Sequence, residues 1–342
     1  MRGCFVGAIV LLLACGKRSE PFDAGAMTGL DAGLTTEPDA GVPDAGVARF
    51  QGLRLDQLLG TRRYHVFAPP RSATETRPLV VLIHGNGGNA DQLIGRDGET
   101  APFKRWLDLA SRERLFLLIP DGTEPAGGER GWNDCRGDAR TNPTADDVGF
   151  IVSLLDDLTP QGVDRARVFV NGISNGGHLA LRLAIERGEL FRAVAPVVAS
   201  MPASSECPPP TRPVSVLFIN GTRDPIMPFD GGVVGTGTSR GTVLSTRAAM
   251  DLWRQVNGVT DAEVERALPD SFPTDRCTVA EVSSRTGWPT VKLLRVDEGG
   301  HTEPSPTERY SSAFLLVAGT GRQNGDLEMA EEAWRFFAAQ GP

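Results

Sequence analysis

Val168-Phe-Val-Asn-Gly-Ile-Ser-Asn-Gly-Gly-His-Leu-Ala-Leu-Arg-Leu183 is the stretch on which the reading of this chain turns. It opens with an apolar, β-favouring run, Val168 to Val170, passes through Gly172-Ile-Ser174-Asn-Gly176, and continues into residues of helical character. Strand, tight turn and helix in that order suit a particular chemistry. A serine hydroxyl is a poor nucleophile unless it is held clear of the backbone and close to a base. A sharp strand-to-helix turn does this, and flanking glycines let the chain bend without a Cβ clash. The same turn places the N–H of Asn175 at a helix N-terminus, where it can stabilise a developing oxyanion. The pattern alone is not decisive, because glycine is abundant (40 of 342 residues) and a glycine–serine turn is often only a turn. The rest of the chain must supply a base, an acid and a second oxyanion donor.

Working outward, strands and helices alternate. Arg62 to Ala68 alternates in polarity like a strand. Pro78-Leu-Val-Val-Leu-Ile83 and Leu115-Phe-Leu-Leu-Ile-Pro120 are continuous apolar runs, as expected of strands buried on both faces. Ala193–Ala199, Pro213–Asn220 and Thr290–Val296 read as further strands. Helical patterns fall over 103–113, from 145 onward, over 242–257 and over 327–339. This alternation predicts a mostly parallel central sheet with helices on both faces.

The run ending at His84 leads into His84-Gly-Asn-Gly-Gly-Asn89. A glycine-rich loop after a buried strand could cradle phosphate, but no Lys-Ser/Thr completes a P-loop and no G-x-G-x-x-G is present. The other use is the oxyanion loop of an α/β-hydrolase, whose donor is a backbone N–H just after His-Gly. That places the donor at Asn86, with Gly87 as the alternative.

The base is found by elimination among four histidines. His65 lies within an early strand, His84 precedes the glycine loop, and His178 sits one turn past Ser174 on the same helix. His301 follows the last strand, in a loop made bendable by Gly299-Gly300, and it alone fits the order Ser, acid, His. The acid must lie between 174 and 301, just past a strand. Asp224 meets this; Asp230 is the next candidate, and Asp251 and Asp261 sit in or beside a helix.

Residues 121–145 form a long polar loop around Gly131-Trp-Asn-Asp-Cys135, and so long a loop is usually functional. Trp132 either lines a pocket or anchors the loop. Asp146 and Asp147 suit the N-terminus of the helix that follows better than a metal, having no His or Cys at ligand spacing.

The N-terminal region reads differently. Residues 1–15 form a signal segment: Arg2 precedes an apolar run, Phe5 to Ala14, too short to span a bilayer, which needs about 20 residues. Leu12-Leu13-Ala14-Cys15-Gly16 resembles a bacterial lipobox, which makes Cys15 a lipidation site and the outer membrane the expected destination. In residues 16–48, Asp-Ala-Gly recurs at Asp23, Asp31, Asp39 and Asp44. Such a segment has too little apolar bulk to offset its ordering entropy, so it is expected to be an acidic flexible tether rather than a calcium site. The folded domain then covers 49–342. A net charge of −8 argues against nucleic acid, whose binding needs a basic face.

Taken together, His84-Gly-Asn-Gly-Gly, Trp132-Asn133, Asp146-Asp-Val-Gly-Phe, Gly172-Ile-Ser-Asn-Gly-Gly, Gly221-Thr-Arg-Asp-Pro-Ile-Met-Pro-Phe-Asp-Gly-Gly and Gly299-Gly-His-Thr-Glu-Pro resemble the polyhydroxybutyrate depolymerase and feruloyl/acetylxylan esterase group of α/β-hydrolases. The resemblance covers roughly residues 60–340. It implies Ser174 as nucleophile, His301 as base, Asp224 as acid, and the N–H groups of Asn86 and Asn175 as oxyanion donors. It also implies a disulfide near the active-site mouth, Cys135–Cys207, leaving Cys277 free. One departure matters: Glu303 stands where the family has tryptophan in His-Thr-Trp-Pro. That speaks against an apolar subsite and makes Glu303, with Trp132 and Gly87, a candidate for substrate contact. Residues 302–326 are also longer than the family leads one to expect.

The expectation is therefore a secreted, lipid-anchored, monomeric serine esterase without metal or cofactor, acting on feruloyl or acetyl esters of polysaccharide. A polyester depolymerase and a non-catalytic surface lipoprotein are the alternatives. A peptidase on this fold would usually need an added propeller or cap, for which the chain has no room.

Overall fold

Leu79, Val80, Val81, Leu82 and Ile83 are all fully buried. The computed structural model shows why five consecutive apolar residues are needed there. It describes residues 52–341 apart from 127, 236–239 and 285–286. The expected signal segment 1–15 with its Cys15, and the tether 16–48, lie outside the described residues.

The strands are β1 (Leu53–Leu59), β2 (Arg62–Phe67), β3 (Arg77–Ile83), β4 (Phe116–Pro120), β5 (Val163–Ile173), β6 (Ala193–Val197), β7 (Ser215–Gly221), the short pair β8 (Gly232–Val233) and β9 (Thr242–Val243), β10 (Val264–Ala267), β11 (Thr278–Ser283) and β12 (Val291–Asp297). The α-helices are α1 (Ala90–Leu93), α2 (Arg105–Glu113), α3 (Asp147–Leu158), α4 (Asn175–Glu186), α5 (Thr246–Val256), α6 (Ser312–Ala318) and α7 (Met329–Ala338). Ten strands form one sheet in the order β1-β2-β4-β3-β5-β6-β7-β12-β11-β10. The inner run from β4 to β12 is parallel, and the outer pairs at both edges are antiparallel.

Side chains alternate across a strand, so β3 feeds two cores at once. Leu79, Val81 and Ile83 join Ile151, Leu154, Leu179 and Trp253 from α3, α4 and α5 on one face. Val80 and Leu82 join Trp106, Leu109 and Phe337 from α2 and α7 on the other. Burial on both faces is the reason the central strands read as unbroken apolar runs. Asn171, a polar residue deep in β5, is satisfied: it accepts from Trp106 Nε1 at 2.8 Å and donates to the Ala195 carbonyl at 2.7 Å. This is the α/β-hydrolase arrangement.

One sequence reading changes. The helix read over 242–257 begins only at Thr246, capped by Ser245, whose hydroxyl accepts from the Ala248 N–H at 3.1 Å. Thr242 and Val243 instead pair with β8. The segment 302–326, longer than the family leads one to expect, contains α6.

Candidate active site

In a parallel sheet the chain leaves every strand at the same edge, and ligands bind there. Ser174 lies just past β5, Asp224 just past β7 and His301 just past β12. Because β7 and β12 are hydrogen-bonded neighbours, the loops carrying Asp224 and His301 meet directly. The imidazole Nδ1 of His301 is 2.8 Å from Asp224 Oδ2, and its Nε2 is 3.0 Å from Ser174 Oγ. Asp224 Oδ1 accepts the backbone N–H groups of Ile226 at 2.8 Å and Met227 at 2.7 Å, which fixes the plane of the carboxylate. Asp230, Asp251 and Asp261 are exposed, and His301 meets Asp224 instead.

Ser174 has φ 53° and ψ −119°, an uncommon conformation for a side-chain-bearing residue. Such a conformation costs about 1–3 kcal/mol and persists only where the surroundings impose it. Here the first turn of α4 is pressed against the end of β3. A Cβ on Gly176 would collide with the carbonyl oxygens of Ile83 and His84. The Ser174 N–H donates to the Val197 carbonyl at 2.9 Å. The histidine loop is held as tightly: a Cβ on Gly300 would strike the Thr320 carbonyl, and His301 N–H donates to that same oxygen at 2.6 Å.

The other histidines are occupied elsewhere. His65 Nδ1 accepts the Asp56 N–H at 3.0 Å, so its Nε2–H faces Asp91 at 3.0 Å. His84 Nε2 accepts the Gly122 N–H at 3.0 Å and Nδ1 donates to the Gly85 carbonyl at 2.7 Å; burial pushes its pKa down to about 4. His178 is buried, and burial pushes its pKa down to about 3, so it stays neutral. Asp56, His65 and Asp91 come together at ligand spacing, but the lone pair of His65 is already taken, and Arg63 and Arg96 neutralise Asp91.

The glycine loop after β3 lies beside the serine, with a Cβ built on Gly85 standing 3.5 Å from Ser174 Cβ. The Gly87 N–H donates to the Arg130 carbonyl at 2.7 Å, so Gly87 is not a spare donor, and the alternative placed there is corrected. Among the described residues, nothing accepts from the backbone N–H groups of Asn86 and Asn175.

The loop 121–145 anchors itself to this corner. Trp132 is fully buried, donates from Nε1 to the His84 carbonyl at 2.8 Å, and packs on the His84 ring. It therefore anchors the loop and does not face a substrate. Asp146 caps α3, accepting the Gly149 N–H at 2.8 Å. Asp147 does something else: it is buried, accepts the Asn133 N–H at 2.6 Å and pairs with Arg62 at 2.6 Å. Glu303 is also buried, and burial pushes its pKa up; its Oε2 accepts from Tyr310 OH at 3.2 Å. It is turned into the 302–326 segment rather than presented for substrate contact. Sequence reading missed Asp134 and Arg136, a buried ion pair with 2.7 Å between Oδ2 and Nη2. The available signal was two opposite charges flanking a cysteine in a run that also holds Trp132.

Cys135 and Cys207 form a disulfide across 72 residues, and Cys277 is free and buried. A cross-link closing so long a loop restricts the unfolded chain strongly. Replacing both cysteines with alanine is expected to lower the unfolding free energy by about 2–4 kcal/mol, read from denaturant midpoints. An unchanged midpoint would mean that the loop is held without the bond.

Residues 62–207 match the family model described as esterase PHB depolymerase. A Nocardia uniformis subsp. tsuyamanensis protein named "Putative esterase NocK" is 32% identical over 285 residues, covering 79% of this chain and 78% of that protein. Feruloyl esterase C of Emericella nidulans is 31% identical over 190 residues, covering 54% of this chain and 62% of that enzyme. Among solved structures, an acetyl xylan esterase from Aspergillus awamori aligns over 75% of this chain and 94% of its own, with 14% identity and a TM-score of 0.46. No helix among the described residues is long and apolar enough to cross a membrane. With its sequence relationships added to the parallel sheet and the motifs at its edge, the chain belongs to the PHB depolymerase esterase family of α/β-hydrolases and is a carboxylic ester hydrolase.

Proposed function

We propose that the chain is a serine esterase working through an acyl-enzyme. The observation that carries this reading is the hydrogen-bonded chain from Ser174 through His301 to Asp224, at 3.0 Å and 2.8 Å. Ser174 Oγ attacks the ester carbonyl carbon while its proton passes to His301 Nε2. The carbonyl oxygen becomes an oxyanion, received by the N–H groups of Asn86 and Asn175. Asp224 holds the imidazole in the tautomer that leaves Nε2 free to accept, then stabilises the imidazolium. The adduct collapses, the bond to the alcohol oxygen breaks, and His301 returns the proton to that oxygen. Water then adds to the acyl carbon by the same route, the acid leaves, and Ser174 regains its proton.

The substrate proposed is a feruloyl or acetyl ester carried on polysaccharide, supported by the likeness to feruloyl esterase C. A polyester is the second reading, and one observation favours it. Helix α6, on the segment bonded to the His301 backbone, exposes Phe314 (50%), Leu316 (83%) and Val317 (89%). The proposed setting is outside the cytoplasm: an α/β-hydrolase domain from residue 49, tethered by residues 16–48 to a lipid on Cys15, acting as a monomer.

The test is to treat the purified protein with a fluorophosphonate and map the modified peptide, then compare rates on p-nitrophenyl acetate, methyl ferulate and polyhydroxybutyrate film. One label, on Ser174, with hydrolysis of methyl ferulate is expected. A folded protein left unlabelled and inert on all three substrates would overturn the reading in favour of a binding role.

A further inference from the structure

Asn175 is held by its side chain as well as by its place in α4. Its Oδ1 accepts the Trp132 N–H at 2.7 Å. Its Nδ2 donates to the Trp132 carbonyl at 3.1 Å and to Asp134 Oδ2 at 2.7 Å. The amide thus makes a pair of backbone bonds, like a strand neighbour, plus one charge-assisted bond. Asp134 is fully buried. Burial alone would push its pKa up; the Arg136 charge overrides this and holds the pKa below the ordinary value. Arg136 N–H and Nε donate to Asp134 Oδ1 at 2.9 Å and 3.1 Å, and Arg136 Nη1 reaches the Arg240 carbonyl at 2.7 Å. The intervening residue, Cys135, is the disulfide partner of Cys207.

The same loop reaches the other side of the serine. Arg130 accepts from the Gly87 N–H at 2.7 Å, and Glu129 accepts from the Asn86 side chain. Asn86 and Asn175 stand at the ends of different strands, β3 and β5, and residues 129–134 bond to the surroundings of both. A buried ion pair is a poor way to gain stability, because desolvation offsets most of its attraction. Its rigidity is better suited to fixing a position. Oxyanion donors are effective only at about 2.7–3.1 Å from the developing charge, and a displacement of about 1 Å can cost a hundredfold.

We propose that Asp134 is the positioning residue of the oxyanion hole: paired with Arg136, it clamps the Asn175 side chain, and so sets the Asn175 N–H against that of Asn86. This rests on the serine esterase reading above. It adds that an acidic residue remote from the triad in sequence governs transition-state binding without touching the substrate.

The experiment is a kinetic double-mutant cycle on p-nitrophenyl acetate with Asp134→Ala, Asn175→Ala and the double variant, and with Asp134→Asn, which keeps an acceptor oxygen. Fold is checked by circular dichroism. Asn175→Ala leaves the Asp134–Arg136 pair intact, so the test survives if Asp134→Ala does not fold. Each single alanine variant is expected to lower kcat about 10–100-fold with KM within about twofold, since a misplaced donor weakens the transition state and not the ground state. The double variant should lose no more than the worse single one, and Asp134→Asn, whose NH2 must face either the Arg136 donors or Asn175 Nδ2, should lose rate as the alanine variant does. Affinity for a trifluoromethyl ketone should fall in step with kcat/KM. Unchanged kcat in Asn175→Ala or in folded Asp134→Ala, or losses that multiply in the double variant, would overturn the proposal. Wild-type protein that a fluorophosphonate does not label would instead overturn the serine reading beneath it.

Discussion

Ser174→Ala is expected to lower kcat/KM for p-nitrophenyl acetate about 10⁵- to 10⁶-fold, the scale seen when a nucleophile that acts as a unit with its base is removed. The site gives a specific reason for so large a loss. The hydroxyl makes its hydrogen bond to His301 Nε2 at 3.0 Å. His65, His84 and His178 are each held elsewhere, by hydrogen bonds or by burial, so among the described residues no second histidine lies ready to activate another hydroxyl. What survives in the variant is the oxyanion donors and substrate binding, together with His301 acting on water; such remnants are worth about 10³–10⁴ over the uncatalysed reaction. The measurement is kcat/KM of wild type and variant side by side, with active-site titration to exclude contaminating wild type. A variant retaining a tenth of the activity would place the nucleophile elsewhere.

Asp224→Asn is expected to cost about 10⁴-fold in kcat, with secondary structure and melting behaviour close to wild type. The direction of the effect follows from the neighbouring backbone. Asp224 Oδ1 accepts two N–H groups, from Ile226 and Met227. An asparagine must keep its oxygen on those donors, so its NH2 is forced to face His301. The imidazole can then only present a lone pair at Nδ1 and carry its proton on Nε2. In that tautomer Nε2 donates to Ser174 and cannot accept its proton. A fall of less than about tenfold would exclude Asp224 as the group that sets the tautomer, since correct tautomer choice is where a triad acid contributes.

The central sheet and the three residues at its edge were legible because each is written locally. Strands buried on both faces need unbroken apolar runs, and β3, β4 and β7 supply them. The elbow needs a glycine on either side of Ser174, and the order of Ser, acid and His left His301 after elimination. What the sequence hid depends on partners distant in the chain. Asp134 reads as one acid in a polar loop until Asn175 is brought against it. Trp132 reads equally as a pocket wall or an anchor, and the His84 carbonyl decides it. Glu303, in place of the family's tryptophan, reads as a candidate for substrate contact, yet it is buried and bonded to Tyr310, seven residues on. Edge strand β10 is exposed along its whole length and so lacks the double-sided burial that makes a strand visible, and α6 has apolar residues all round but buries none of them, so no periodicity marks it.

The backbone contacts at Gly176 and Gly300 bear on how this enzyme could be altered. At both positions the space where a side chain would begin is filled by another segment's carbonyl oxygen. Both contacts support the proposed catalytic geometry, one beneath Ser174 and one behind His301. A saturation library across the site would therefore split into two kinds of position. Near the reacting atoms there are places where every letter but one is lost, regardless of polarity or size. A few residues along the same segment, the exposed positions of α6 would accept almost anything. Searches for altered ester preference belong on that second set, where a new side chain leaves in place the frame that holds the serine and the histidine.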